Sequence, residues 1–190
     1  MPRTEDQLKE IRGEKRNLIM QTAMVLFAKQ GYQQVSINKI ASSAGISKGL
    51  MYNYFDSKED LLEQIVSERF NEIVLHFDPN RDGLLEQHEL LQFIDKIFDL
   101  IKDNFDFWKL FYSLFVQPQV FELLSKKYVE LLEPFYSMLM KYFETKGCKN
   151  PRSEAIFFGA SLDGLAVNYL IDPEHFPIED IKEKVKSLYR

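Results

Sequence analysis

Ser36-Ile37-Asn38-Lys39-Ile40-Ala41-Ser42-Ser43-Ala44-Gly45-Ile46-Ser47-Lys48-Gly49-Leu50-Met51-Tyr52-Asn53-Tyr54-Phe55 decides the fold. The stretch reads as two short helices, Ile37 to Ala44 and Lys48 to Phe55, each preceded by a serine, Ser36 and Ser47, whose hydroxyl can cap the first turn. Ile40 and Ala44 face inward from the first helix, and Ala41 is small where two helices must cross closely. Gly45 sits where the turn needs a residue tolerant of positive φ. Ile46 and Met51 complete the apolar seam of the second helix. The joint spacing predicts a helix-turn-helix.

Outward from this stretch the chain reads as helix after helix, an all-α fold with no lasting alternation to suggest a sheet. Leu18, Ile19, Thr22, Ala23, Val25, Leu26 and Phe27 recur at helical spacing between Glu14 and Gln30, and Gly31 stops that helix. A fourth helix starts after Ser57, where Ser57 and Asp60 have capping-box spacing, and runs to about His76. Further helices are expected over 86–104, 106–116, 119–146 with a bend near Pro134, 152–171 and 178–189.

The segment Ser36 to Leu62 resembles the TetR family signature: the Ile40-Ala41 and Ala44-Gly45 pairs, then Ser47-Lys48-Gly49, Tyr52 to Phe55, and Ser57-Lys58-Glu59 with Leu61. The resemblance is specific over residues 14–62. It implies an N-terminal three-helix DNA-binding domain, placed at 1–57, and a helical effector-binding and dimerisation domain at 58–190. The implied function is that of a DNA-binding transcriptional repressor, a homodimer on double-stranded operator DNA, released by a small-molecule effector. Ser36 and Ser47 cap helices whose first amides can face a phosphate. Lys48, Tyr54 and Lys58 are candidate phosphate contacts, which set affinity and register rather than sequence choice. Gly49 would let the backbone approach the duplex. Leu50, Tyr52 and Asn53 are the candidate base-facing edge, Asn53 for adenine and Leu50 or Tyr52 for a thymine methyl. Many family members carry Thr where this chain has Leu50, so a hydrogen bond open to them is missing.

Charge fits this division. The 190-residue chain carries a net charge of −5, yet residues 1–58 hold nine Lys/Arg against five acids, a balance of +4 that leaves −9 on the remainder. A basic head on an acidic body favours one orientation towards a polyanion. No run of eighteen apolar residues and no signal peptide is read, so a cytoplasmic protein without a membrane partner is expected. The single Cys148 cannot form an internal disulfide or a cysteine zinc cluster. His76, His88 and His175 lie far apart and no nucleophile motif occurs, which argues against an enzyme.

Residues 91–143 concentrate aromatics, most of them read as core. The resemblance adds a pocket in the middle helices for a small apolar or aromatic effector, with Trp108, Phe111, Tyr112 and Phe115 as candidate lining. Between Ser153 and Ile171 the small residues Ala155, Gly159, Ala160, Ser161, Gly164 and Ala166 permit close helix approach. With the last helix, Ile178 to Leu188, this segment looks like the family's dimerising pair.

One further signal is not expected of the family. Asp78-Pro79-Asn80-Arg81-Asp82-Gly83-Leu84-Leu85-Glu86-Gln87-His88-Glu89 satisfies the EF-hand loop pattern. Asp78, Asn80 and Asp82 would offer side-chain oxygens, Leu84 a carbonyl, Glu86 a ligand or its water, and Glu89 a bidentate carboxylate. No cofactor is required by the main reading. Calcium is the ion this all-oxygen set suits, and a calcium-responsive regulator is the alternative reading.

Overall fold

The computed structural model describes residues 4–190, the side chain of Arg69 excepted. Among them the order is α1 (Glu5–Gln30), α2 (Ile37–Ser43), α3 (Lys48–Met51), α4 (Lys58–Phe77), α5 (Gln87–Asp103), α6 (Phe105–Phe115), α7 (Pro118–Thr145), α8 (Pro151–Ile171) and α9 (Ile178–Leu188), with no strand.

Helix α1 begins at Glu5, nine residues before the expected start at Glu14. Its cause is a cap rather than a stripe. The Thr4 hydroxyl accepts from the Gln7 amide at 3.3 Å while the Gln7 side chain accepts from the Thr4 amide at 3.1 Å. Such a reciprocal box satisfies two orphan donors, and Glu5 and Asp6 suit the helix dipole. Residues 5–14 are almost wholly exposed, so apolar periodicity carried no trace of them.

The chain divides into two compact units, Met1–Ser67 with Leu110–Ser125, and Glu68–Lys109 with Lys126–Arg190. The first therefore reaches past residue 57 and takes in parts of α4, α6 and α7. Burial explains it: Leu61, Leu62, Ile65 and Val66 of α4 join Ile19, Ala23, Phe27, Ile40, Met51 and Phe55 in one apolar core. Gln117 adds a polar clamp. Its carbonyl accepts from the Tyr32 amide at 2.8 Å and its amide donates to the Phe27 carbonyl at 3.1 Å, beside the bond that carbonyl already accepts from the Gly31 amide where α1 ends.

The second unit has a core of aromatic rings. Phe77 stands 4.9 Å from Phe93 and 4.4 Å from Phe135 between centroids, and Phe158 meets Tyr189 at 5.2 Å. Helix α7 runs through Pro134 without ending. The small residues of α8 sort onto two faces. Ala155, Gly159 and Ala166 are buried, while Ala160 and Gly164 are exposed beside Phe157, Val167 and Ile171. A Cβ on Gly159 would lie 2.6 Å from the Tyr136 hydroxyl oxygen, which accounts for glycine where α8 crosses α7. By length and composition α8 could also cross a bilayer, because it is apolar on both faces.

Candidate nucleic-acid interface

The turn of the motif is built as its sequence predicts. The Ser36 hydroxyl accepts from the Lys39 amide at 3.2 Å and the Ser47 hydroxyl from the Leu50 amide at 3.1 Å. Gly45 has φ 67, and its amide and that of Ile46 return to the carbonyls of Ser42 and Ala41 at 3.2 and 2.9 Å, closing α2. Ile40, Ala41 and Met51 are buried beneath.

Helix α3 is shorter than the expected span to Phe55. Regular α-helix ends at Met51, after which the Asn53 and Tyr54 amides bond to Leu50 and Met51 carbonyls at 3.1 and 3.0 Å, a tightening to three-residue spacing. The tightening brings Phe55 into the core while Tyr52 and Asn53 stay outside.

Of the nine candidate DNA-contacting residues, Ser36, Ser47, Lys48, Gly49, Tyr52 and Asn53 are exposed, and Leu50, Tyr54 and Lys58 are half-buried. Lys48, Gly49, Leu50, Tyr52 and Asn53 follow one another along one short helix and its end. Lys58 is directed elsewhere. Its ammonium donates to the Tyr32 carbonyl at 3.1 Å and lies 4.2 Å from the centre of the Tyr32 ring. The Tyr32 hydroxyl donates to Glu59 at 3.0 Å, and burial together with that bond pushes the phenol well above the ordinary tyrosine value. The Glu59 carboxyl is lowered, by its own backbone amide first and by the Tyr32 hydroxyl after it. Lys58, Tyr32 and Glu59 thus lock the start of α4 to the end of α1.

Two arginines were missed by the sequence reading. Arg12 donates to the Asn53 carbonyl at 3.2 Å and stands 5.8 Å from the Tyr54 ring, and Arg16 stands 5.6 Å from the Phe55 ring. Both brace the tightened end of α3 and put positive charge beside it. Their one sequence signal was spacing: Arg12 and Arg16 are four residues apart, hence on one face of α1.

The effector candidates are spread out. Trp108 is buried in the second unit with its indole nitrogen donating to the Leu100 carbonyl at 3.0 Å. Phe111 is buried in the first unit with its ring 5.0 Å from Phe115, and Tyr112 is half-buried. None of the four lines the open cleft of about 350 Å³ between α7 and α8 of the second unit, which Tyr128, Leu132, Tyr136, Met140, Arg152 and Ile156 line among others.

At the EF-hand-like loop, the carboxylate of Asp78 accepts from the Gly83 amide at 3.2 Å, Asn80 from Asp82 at 3.2 Å, and Asp82 from Leu84 at 2.8 Å. Glu89 accepts from the Glu86 amide at 2.9 Å in a reciprocal cap of α5. Among the described residues no three His, Cys, Asp or Glu side chains are gathered closely enough to hold a metal as they stand.

The family profile "Bacterial regulatory proteins, tetR family" matches residues 19–65. Over 49 residues, 26% of the chain, 53% are identical to the HTH-type transcriptional regulator YuxN of Bacillus subtilis (strain 168). Over 79 residues, 42% of the chain, 30% are identical to an HTH-type transcriptional regulator of Staphylococcus aureus (strain USA300). These matches span 17% and 43% of the two relatives, less than half of either. Solved structures extend the likeness in fold. The fatty acid degradation regulator FadR from Bacillus halodurans superposes with a TM-score of 0.73 at 21% identity, over 92% of this chain and 94% of that one. The transcriptional regulator FadR from Bacillus subtilis, solved in complex with stearoyl-CoA, gives 0.71 at 19%, over 90% and 96%. Residues 19–65 thus match the profile of the tetR family of bacterial regulatory proteins, and the whole chain shares the fold of the two FadR structures.

Proposed function

We propose that the chain is a cytoplasmic transcriptional regulator that represses by binding operator DNA as a homodimer and is released by a small apolar or aromatic effector. The observation that carries the reading is the exposed edge formed by Lys48, Gly49, Tyr52 and Asn53 over a buried seam, within the net-basic residues 1–58. Lys48 and Tyr54 meet phosphates, Gly49 allows close approach, and Leu50, Tyr52 and Asn53 read base edges. Lys58 serves chiefly to hold Tyr32, and reaching a phosphate would require it to leave that site.

Dimerisation is supported by the outer face of α8, where Phe157, Ala160, Gly164, Val167 and Ile171 form an exposed stripe at helical spacing. Phe157 is 56% exposed and Ile171 76%. Effector binding is supported by the cleft between α7 and α8 and by the stearoyl-CoA held by the Bacillus subtilis FadR.

Two substitutions test the interface. Lys48→Ala is expected to weaken binding to every duplex and to reduce the slope of log affinity against log salt by about 0.9, the value of one lost phosphate contact. Asn53→Ala should instead cost about 1–3 kcal/mol at one or two base positions and leave the slope unchanged. Salt titrations by fluorescence anisotropy measure both. An Asn53→Ala protein with unaltered base preference removes Asn53 from the reading edge, and an unaltered slope in Lys48→Ala removes Lys48 from the phosphate contacts.

A further inference from the structure

We infer that Asp78 to Glu89 is a calcium site. The inference starts from an atom with an uncompensated cost. Asp78 Oδ1 is shielded from solvent and has no hydrogen-bond partner, although the other oxygen of the same carboxylate accepts from Gly83 across the loop. One oxygen of this half-buried side chain is therefore left unpartnered at the first position of the loop. A buried carboxylate oxygen without a partner is costly unless a proton or a cation supplies one.

The residues around it have the chemistry to supply a calcium shell. Asn80 and Asp82 follow at two-residue intervals, each accepting from an amide two residues on, and the Asn80 carboxamide donates to the second Asp82 oxygen at 3.1 Å, a bond that a bound cation would replace. Gly83 has φ 72 at the sharp bend, where a Cβ would be strained, and the Leu84 carbonyl comes next. Glu89 is the buried carboxylate of the second unit, only 5% exposed. Its carboxylate accepts from the Glu86 amide at 2.9 Å. A hard dication taking 6–8 oxygens draws Glu89 across as a bidentate ligand in exchange for that single amide bond. The first turn of α5 moves with it. Gln87 of that turn donates to the Tyr189 carbonyl at 2.9 Å, so closing the loop acts on the end of α9.

The test uses the full chain freed of metal by chelator, titrated with calcium chloride in a calorimeter, with thermal melts alongside. One calcium per chain is expected, with Kd between about 10⁻⁵ and 10⁻³ M for a single loop, and magnesium should bind at least about tenfold more weakly because it prefers octahedral coordination and keeps its waters. Calcium should raise Tm. Glu89→Gln keeps a side chain able to complete the cap with Glu86 but loses the bidentate carboxylate. Its Tm in chelator should match the parent's, and its calcium affinity should fall at least about tenfold. Asp78→Asn should likewise bind at least about tenfold more weakly. No heat and no Tm shift up to about 10 mM calcium overturns the inference, since that exceeds the weakest loops of this kind. Binding that survives both substitutions unchanged overturns it equally, because the ion then sits elsewhere.

Discussion

Phe77→Ala is expected to remove about 3–5 kcal/mol from the stability of the second unit, the range for deleting a fully buried aromatic ring. Phe77 has no exposed surface and closes α4 against Phe93 and Phe135. Removing it leaves a void lined by two rings that are themselves buried and held by Phe158, so collapse into the space is limited. Against a net stability of about 5–15 kcal/mol such a loss is about a fifth or more of the whole. Urea denaturation measures it. The midpoint should fall with the slope unchanged. A loss under about 1 kcal/mol would mean that the aromatic cluster repacks freely and is not the core.

The second large effect concerns the outer face of α8. Phe157→Asp should leave the fold intact, since Phe157 points away from the buried Ala155 and Phe158, and should abolish the dimer. An unpaired carboxylate enclosed by an apolar interface costs about 3–5 kcal/mol, and two-fold symmetry introduces it twice. A monomer engages one half-site at a time, so affinity for a full operator should fall by roughly 10²–10⁴ through the lost effective concentration. Sedimentation equilibrium and circular dichroism read the two claims separately. A folded variant that remains dimeric moves the interface off this stripe.

The helix-turn-helix was legible because its signals are local. Ser36, Gly45 and Ser47 act within a turn of their own positions, and Ile40, Ala41 and Met51 are tied to them by fixed spacing. The start of α1 was not legible from periodicity because Thr4 and Gln7 form it by capping while residues 5–14 are almost wholly exposed. The early end of α3 depends on Arg12, more than forty residues upstream, and on Phe55 turning into the core. Gln117 lies in a turn signal beside Pro118, yet it bonds to the backbone of Phe27 and Tyr32 some 85 to 90 residues away in sequence. Pairings of that range leave no spacing to read.

The middle and last helices show the same limit. Aromatic density in residues 91–143 does not say which rings face one another. Trp108 and Phe111 are buried among neighbours, while the cleft opens beside Tyr128 and Tyr136 farther along α7. The small residues of α8 were read as one group. They serve two surfaces, Gly159 against Tyr136 and Gly164 outward, because a helix apolar on both faces has no single stripe.

The central claim is sequence-specific, two-fold binding of duplex DNA through the edge from Lys48 to Asn53. Selection of bound duplexes from a randomised pool by the purified chain tests it most directly. The account predicts an inverted repeat whose half-sites lie about one helical turn, or a multiple of it, apart. Recovery of no sequence preference, or of a single unrepeated site bound by one chain, would contradict it.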